Sequence, residues 1–292
     1  MKLPVKQRRA DYQVVPYPVY QRLGAAASRS VRHRPLIHGL FDADVTRARA
    51  ALRARKARTG EALSFTAFLA TCVAKAVDES KAVQAFRQGG KRLVLFEDVD
   101  ISTRIEREVS SQKYVVPHII RAANRKTFRE LHDEIRAAQS ADVTRALTRF
   151  RLLPSALYRL FFWAFAMMAR RRPRLWKMTV GTVGLTPVGM FGRGAGWGIP
   201  ATSPTALMVT VGGIGEKQAV VDGRPAIREY LSLTVSVDHD LVDGAPAARF
   251  TRRLKELIES GYGLSDLIAE AEGAGADGAP QRQAESFQPA LP

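Results

Sequence analysis

The sequence predicts a single α/β domain built on a mixed β-sheet. Strand-like and helix-like periodicities are interspersed along the whole length, no internal repeat divides the chain, and 46% hydrophobic residues in 292 suffice for one large core. Residues 1–34 are basic and punctuated by proline, the pattern of an arm lying on a neighbouring surface. Residues 36–44 read as a strand, and the helix that follows from Val45 has a stop signal at Gly60. A second helix begins near Ser64. Its Phe65, Phe68, Leu69, Cys72, Val73 and Val77 recur every three or four positions, a core-facing stripe.

Strands are expected at 92–96, 99–105 and 114–120. Thr127 and Glu130 then form a capping box ahead of a helix with Phe128, Leu131 and Ile135 on one face. Residues 143–168 are helical in pattern and increasingly apolar, with an interruption at Pro154. Strands return at 178–185, 206–211, 219–221 and 227–238, separated by Gly/Pro-rich loops, notably 189–200. A last helix spans about 247–260, and the Gly/Ala/Gln/Pro-rich residues from about 273 to 292 lack the apolar content to order themselves.

Charge and cysteine content narrow the chemistry. A net charge of +17 attracts phosphates, nucleic acid or an anionic membrane surface without choosing among them. The basic residues are spread over several elements and no nucleic-acid motif accompanies them, so no specific nucleic-acid partner is expected. Cys72 is the single cysteine, which excludes an intrachain disulfide and a cysteine-rich zinc site. No cluster of histidines and carboxylates suggests another metal. The most apolar run, 160–169, is shorter than the roughly 20 residues that span a bilayer. The N-terminus does not read as a signal peptide, and the expected localisation is cytoplasmic.

The residues that bear on chemistry lie near the C-terminus. Residues 231–238 alternate between apolar and polar, a half-buried strand with Leu231, Leu233, Val235 and Val237 inward. His239 continues that inward parity, and a partly shielded imidazole stays neutral and able to accept a proton. Asp243 follows at a strand-turn-helix corner, where a carboxylate orients the loop or partners an arginine. Spacing alone also admits plainer readings, in which Asp243 caps the next helix and His239 is a satisfied core residue.

The segment from Val237 through His239-Asp240-Leu241-Val242-Asp243-Gly244 to Phe250 resembles the active-site signature of the acyltransferases of 2-oxo acid dehydrogenase complexes, which share their fold with chloramphenicol acetyltransferase. Residues 181–192, with Thr186 ahead of Gly189-Met190-Phe191-Gly192, are similar to that family's second motif. Phe41 to Thr46 and Tyr114-Val115-Val116-Pro117 fit as well. The resemblance covers roughly 35–260 and omits about 141–177.

That resemblance implies a two-layer sandwich with a mixed sheet, and a catalytic domain over 35–262 carrying an apolar helical insertion at about 141–177. An arm over 1–34 and a tail over 263–292 flank it. It implies that His239 is the base that deprotonates a thiol, Thr186 the oxyanion donor and Asp243 the residue that fixes the histidine loop. Coenzyme A or acyl-CoA is then a substrate, and no metal takes part. The assembly implied is a homotrimer or a multiple of it, with His239 and Thr186 of one site drawn from different chains.

With only 34 residues ahead of the matching region, the expectation is a stand-alone enzyme without its own lipoyl or subunit-binding domain. Its acceptor is then a lipoyl group on another chain, or a different thiol, hydroxyl or amine. A non-catalytic trimeric scaffold or binding protein of the same fold is the alternative. Asp240 stands where the family usually has Arg, and Pro187 where it often has Asn.

The apolar residues Leu157, Leu160, Phe161, Trp163, Phe165 and Met168, followed by arginines, suggest a buried or intersubunit helix ahead of a membrane-surface contact through 157–174 or an acyl-chain pocket. The alternating Gly192, Gly194, Gly196 and Gly198 read as a loop around Trp197, and His118 as a structural residue. Arg22 and Arg29 are the arginines nominated to pair with Asp243.

Overall fold

The computed structural model describes residues 8–9, 12–13, 25, 34–109, 112–140, 160, 163–165, 167–169, 171–188 and 194–276. A short hairpin pairs β1 (Arg8–Arg9) with β2 (Tyr12–Gln13). Then come β3 (Leu36–Asp44), α1 (Thr46–Thr59), α2 (Phe65–Glu79), and a second hairpin of β4 (Phe86–Gln88) and β5 (Arg92–Val94). β6 (Ile101–Val109), β7 (Gln112–Ile120), α3 (Phe128–Ser140), α4 (Pro173–Val180) and β8 (Val183–Pro187) follow. The chain continues through β9 (Leu207–Val221), β10 (Arg224–Asp238), α5 (Gly244–Glu259) and α6 (Ser265–Ala276).

Six strands form one sheet in the order β3-β10-β9-β8-β6-β7, with β8 parallel to both neighbours and the remaining pairs antiparallel. The expected mixed sheet and two-layer sandwich are therefore what the chain forms. One face carries the core. Ile101, Val183, Leu185, Leu207, Val209 and the inward residues of β10 meet Phe68, Leu69 and Val73 of α2 and Phe250 and Leu254 of α5. The opposite face is polar yet closed: Ser232, Thr234, Ser236 and Asp238 of β10 are all buried, as is Thr210 of β9.

Part of that closure is a strap, residues 194–200, held where the Gly213 N–H donates to the Gly196 carbonyl at 2.8 Å. Glycine is required at 212 because a Cβ there would run into the Gly196 carbonyl and lie 2.9 Å from the Ser232 carbonyl. From Gly194 onward the alternating-glycine segment is a loop that packs against β9; Gly192 lies outside the described residues. At Gly181 the backbone takes φ 83°, and a Cβ would meet the Asp100 carbonyl at 2.8 Å, so glycine turns the chain from α4 into β8.

Several elements differ from their expected form. Residues 178–180, expected as strand, close the short helix α4, which starts on Pro173 at its first position. The runs 206–211 and 219–221 are one strand, continuous through glycines. Residues 265–276, expected as part of a tail, form α6, which packs on α1 and seats Leu264 and Ile268 in the core.

The described residues of the apolar segment are only partly buried within the chain. Leu160 and Trp163 are 60% and 59% exposed, although Ala169 and Trp176 close a small cluster with Phe86 and Phe96. Leu157 and Phe161 lie outside the described residues. Among the described residues no helix is long and apolar enough to cross a membrane, and no group of three or more His, Cys, Asp or Glu is placed to hold a metal.

Candidate active site

β10 ends at Asp238, and the chain turns before α5 opens at Gly244. His239 therefore does not extend the strand's parity. Its side chain is 49% exposed, which corrects the expectation of a shielded imidazole. Asp243 occupies the N-cap position of α5 but makes no side-chain cap bond, and at 87% exposure it stands 4.0 Å from His239 Nδ1. Neither plain reading holds, since Asp243 is not capping and His239 is not in the core. Arg22 and Arg29, nominated for Asp243, lie outside the described residues.

What holds the turn is the residue before the histidine. The Asp238 side chain is 5% exposed and accepts a very short hydrogen bond from Arg34 Nη1. Its other carboxylate oxygen accepts the Asp240 N–H at 3.1 Å, while its carbonyl accepts the Leu241 and Val242 N–H groups at 3.0 Å each. Arg34 Nη2 donates to the Pro204 carbonyl at 3.3 Å, and the His239 N–H donates to the Pro35 carbonyl at 2.8 Å. Asp240 is in turn paired with Arg87 of β4 at 3.1 Å, which gives the acidic residue at this position an ionic partner of its own.

Thr186 lies near the end of β8 and is half-buried, level in register with Thr210 of β9 and Thr234 of β10. The hydroxyls of Thr210 and Thr234 are buried without a hydrogen-bond partner among the described residues. The Gly189–Gly192 turn that follows Thr186 lies outside the described residues. Along the sheet, Thr186 and His239 are offset by five residues and two strands, which puts them about 19 Å apart in one chain. The two expected catalytic groups are therefore not brought together within a single chain.

Beside the histidine turn, a cavity of about 450 Å³ opens between β3 and α5. Ile37, Val235, Val237 and Ala247 give it apolar walls, and Arg252 and Lys255 also line it. Gly244 and Lys255 are about 16 Å apart along the helix, so the cavity runs from the histidine turn toward the cations. His38, which sequence reasoning passed over, also lines it and shares a 2.8 Å hydrogen bond with Ser236 Oγ. Arg34 and Asp238 were missed as well. The signal for Asp238 was a carboxylate directly before the histidine, but nothing local marks Arg34, 204 residues away.

Three other groups lie away from this turn. Burial pushes the Cys72 thiol well above its usual range, so it is not a nucleophile. His132 is buried, accepts the Ser64 N–H at Nδ1 at 3.0 Å, and is held below its ordinary pKa by burial and then by Arg136. His118 Nε2 stands 3.4 Å from Glu134.

Residues 11–149 and 168–264 match the family described as 2-oxoacid dehydrogenases acyltransferase (catalytic domain). The lipoamide acyltransferase component of the branched-chain alpha-keto acid dehydrogenase complex of Bacillus subtilis (strain 168) is 27% identical over 206 residues, covering 70% of this chain and 41% of that protein. The mitochondrial dihydrolipoyllysine-residue succinyltransferase component of the 2-oxoglutarate dehydrogenase complex of Saccharomyces cerevisiae is 35% identical over 82 residues, 28% of this chain and 18% of that one. The chain thus spans about two fifths or less of these relatives.

In fold, a probable dihydrolipoamide acetyltransferase from Listeria monocytogenes superposes with TM-score 0.61 at 21% identity, over 86% of this chain and 96% of that one. A truncated catalytic core of the 2-oxoacid dehydrogenase multienzyme complex from Thermoplasma acidophilum gives 0.58 at 22% identity, over 85% and 98%. With the family's match extending over both the strand that carries Thr186 and the turn that carries His239, the chain belongs to the 2-oxoacid dehydrogenase acyltransferase (catalytic domain) family.

Proposed function

We propose that the protein is a CoA-dependent acyltransferase whose active site is shared between two copies of the chain. The observation that supports this reading is the separation of His239 from Thr186: if both serve one site, they lie too far apart to meet in one subunit, and a cyclic oligomer would have to bring them together. In the reaction, His239 takes the proton from the attacking thiol, and the thiolate adds to the thioester carbonyl. The Thr186 hydroxyl of the neighbouring subunit donates to the resulting oxyanion. Collapse of the tetrahedral intermediate breaks the original C–S bond, and the departing thiolate recovers the proton from the imidazolium. CoA and a dihydrolipoyl thiol are the two partners, the lipoyl group being carried by another chain. The cavity beside α5 takes the acyl-bearing arm of CoA, with Arg252 and Lys255 facing its phosphates.

The test is an acceptor screen with a series of acyl-CoAs, following CoA release. Turnover with dihydrolipoamide supports the lipoyl assignment, and turnover only with an amine or a hydroxyl moves the acceptor elsewhere. A correctly assembled oligomer inert toward every acceptor points to a scaffold. One surface we assign to contact rather than chemistry. Leu160, Trp163 and Met167 are exposed at helical spacing beside Arg171, Arg172 and Arg174, and that combination suits an anionic membrane surface. Trp163→Ser is expected to reduce sedimentation with phosphatidylglycerol vesicles and to leave the oligomer unchanged; equal sedimentation of both proteins excludes the assignment.

A further inference from the structure

We infer that Arg34 and Asp238 are positioning residues that fix the histidine turn. The inference rests on the proposed role of His239. Among the described residues, Asp243 makes no side-chain cap bond to α5 and stands 4.0 Å from the imidazole. Asp238 is the opposite. It is buried, and its two carboxylate oxygens engage Arg34 and the Asp240 N–H, while its backbone carbonyl, which any residue here would supply, accepts the Leu241 and Val242 N–H groups. Those amides are the turn itself.

Arg34 completes a two-point clamp. Its guanidinium reaches Asp238 and the Pro204 carbonyl, while the next residue, Pro35, accepts the His239 N–H at 2.8 Å. The backbone on which the imidazole stands is thus tied to the two residues just ahead of β3, by an ion pair to Arg34 and a backbone bond to Pro35. Stability alone is a poor reason for such a pair. Arg34 Nε is buried without a hydrogen-bond partner among the described residues, and a buried ion pair replaced by apolar groups of similar size is often no less stable. What apolar groups cannot reproduce is the directional hold on the Asp240 N–H and on the entry to the turn.

The test compares wild type with Arg34→Met/Asp238→Leu, Arg34→Lys and Asp238→Asn. The double variant is expected to keep its Tm within a few degrees, its oligomeric state and its KM for acyl-CoA, while kcat falls on the order of 10- to 100-fold because the base is displaced. Arg34→Lys, which keeps the charge but not the forked donor, is expected to lie between the two. A second readout does not depend on turnover: amide hydrogen exchange in the peptide containing residues 239–242 rises in the double variant and in Asp238→Asn. Unchanged kcat and unchanged exchange in the double variant overturn the inference. Faster exchange in a protein whose wild type transfers no acyl group leaves the clamp intact and refutes the acyltransferase reading instead.

Discussion

If His239 and Thr186 belong to different subunits of each site, two inactive variants should rescue one another on mixing. Five residues of strand rise and two inter-strand spacings separate the two Cα positions by about 19 Å. Both side chains fully extended toward each other shorten that by about 7 Å, leaving about 12 Å, whereas each group must come within roughly 3 Å of the reacting atoms. His239→Ala alone removes the base, and Thr186→Ala alone removes a donor typically worth about 10²- to 10³-fold in kcat. In a randomly mixed 1:1 oligomer, about one quarter of the inter-subunit sites combine an intact His239 from one chain with an intact Thr186 from its neighbour. Activity should therefore rise to about one quarter of wild type once subunits have exchanged, with exchange verified by native mass spectrometry of differently tagged chains. A site contained in one chain gives no more than the mean of the two parent variants. That result, with exchange demonstrated, refutes the shared site.

The buried His132 should make stability acid-sensitive. Its folded pKa lies below the unfolded value of about 6.5, so its contribution is complete above that pH and is lost as pH falls through the interval down to the folded value. Thermal melts between pH 7.5 and 5 should show a falling Tm that flattens in His132→Asn; parallel curves contradict the assignment. The strap over the polar face should depend on glycine at 212. Gly212→Ala pushes a methyl into two backbone carbonyls and is expected to cost about 1–3 kcal/mol, whereas Gly90→Ala, with open space at its Cβ, should be near neutral. Equal Tm values for the two variants would show that the strap yields.

Much of the architecture was legible because it rests on periodicity. The stripe from Phe65 to Val77 and the alternation from Leu231 to Val237 are the two sides of the core, and both read directly from spacing. Misreadings arose where local pattern and tertiary context diverge. Residues 178–180 carry strand-like residues but complete a turn of helix begun at Pro173, and residues 265–276 are glycine-containing yet are held by Leu264 and Ile268 against the core. β10 also misled: its polar residues looked solvent-facing, whereas Ser232, Thr234 and Ser236 are buried beneath the second face.

The site was legible to the extent that it is written in contiguous motifs. His239, Asp243 and Thr186 are candidates nominated in that way. Their distances from one another were not legible, because strand order and register are long-range properties. The exposure of Asp243, the clamp from Arg34 and the pairing of Asp240 with Arg87 likewise depend on residues far apart in sequence. A periodicity rule that extends a strand by one residue placed His239 inside, but the turn bound to Asp238 ends the strand first.

His239 as the base of an acyl transfer is open to a simple kinetic test. The most direct measurement is steady-state CoA release from acyl-CoA with dihydrolipoamide as acceptor, comparing wild type with His239→Ala of verified fold and oligomeric state. The account predicts measurable turnover in wild type and a fall of about 10²- to 10⁴-fold in kcat in the variant, with little change in KM. Turnover in His239→Ala within twofold of wild type contradicts it.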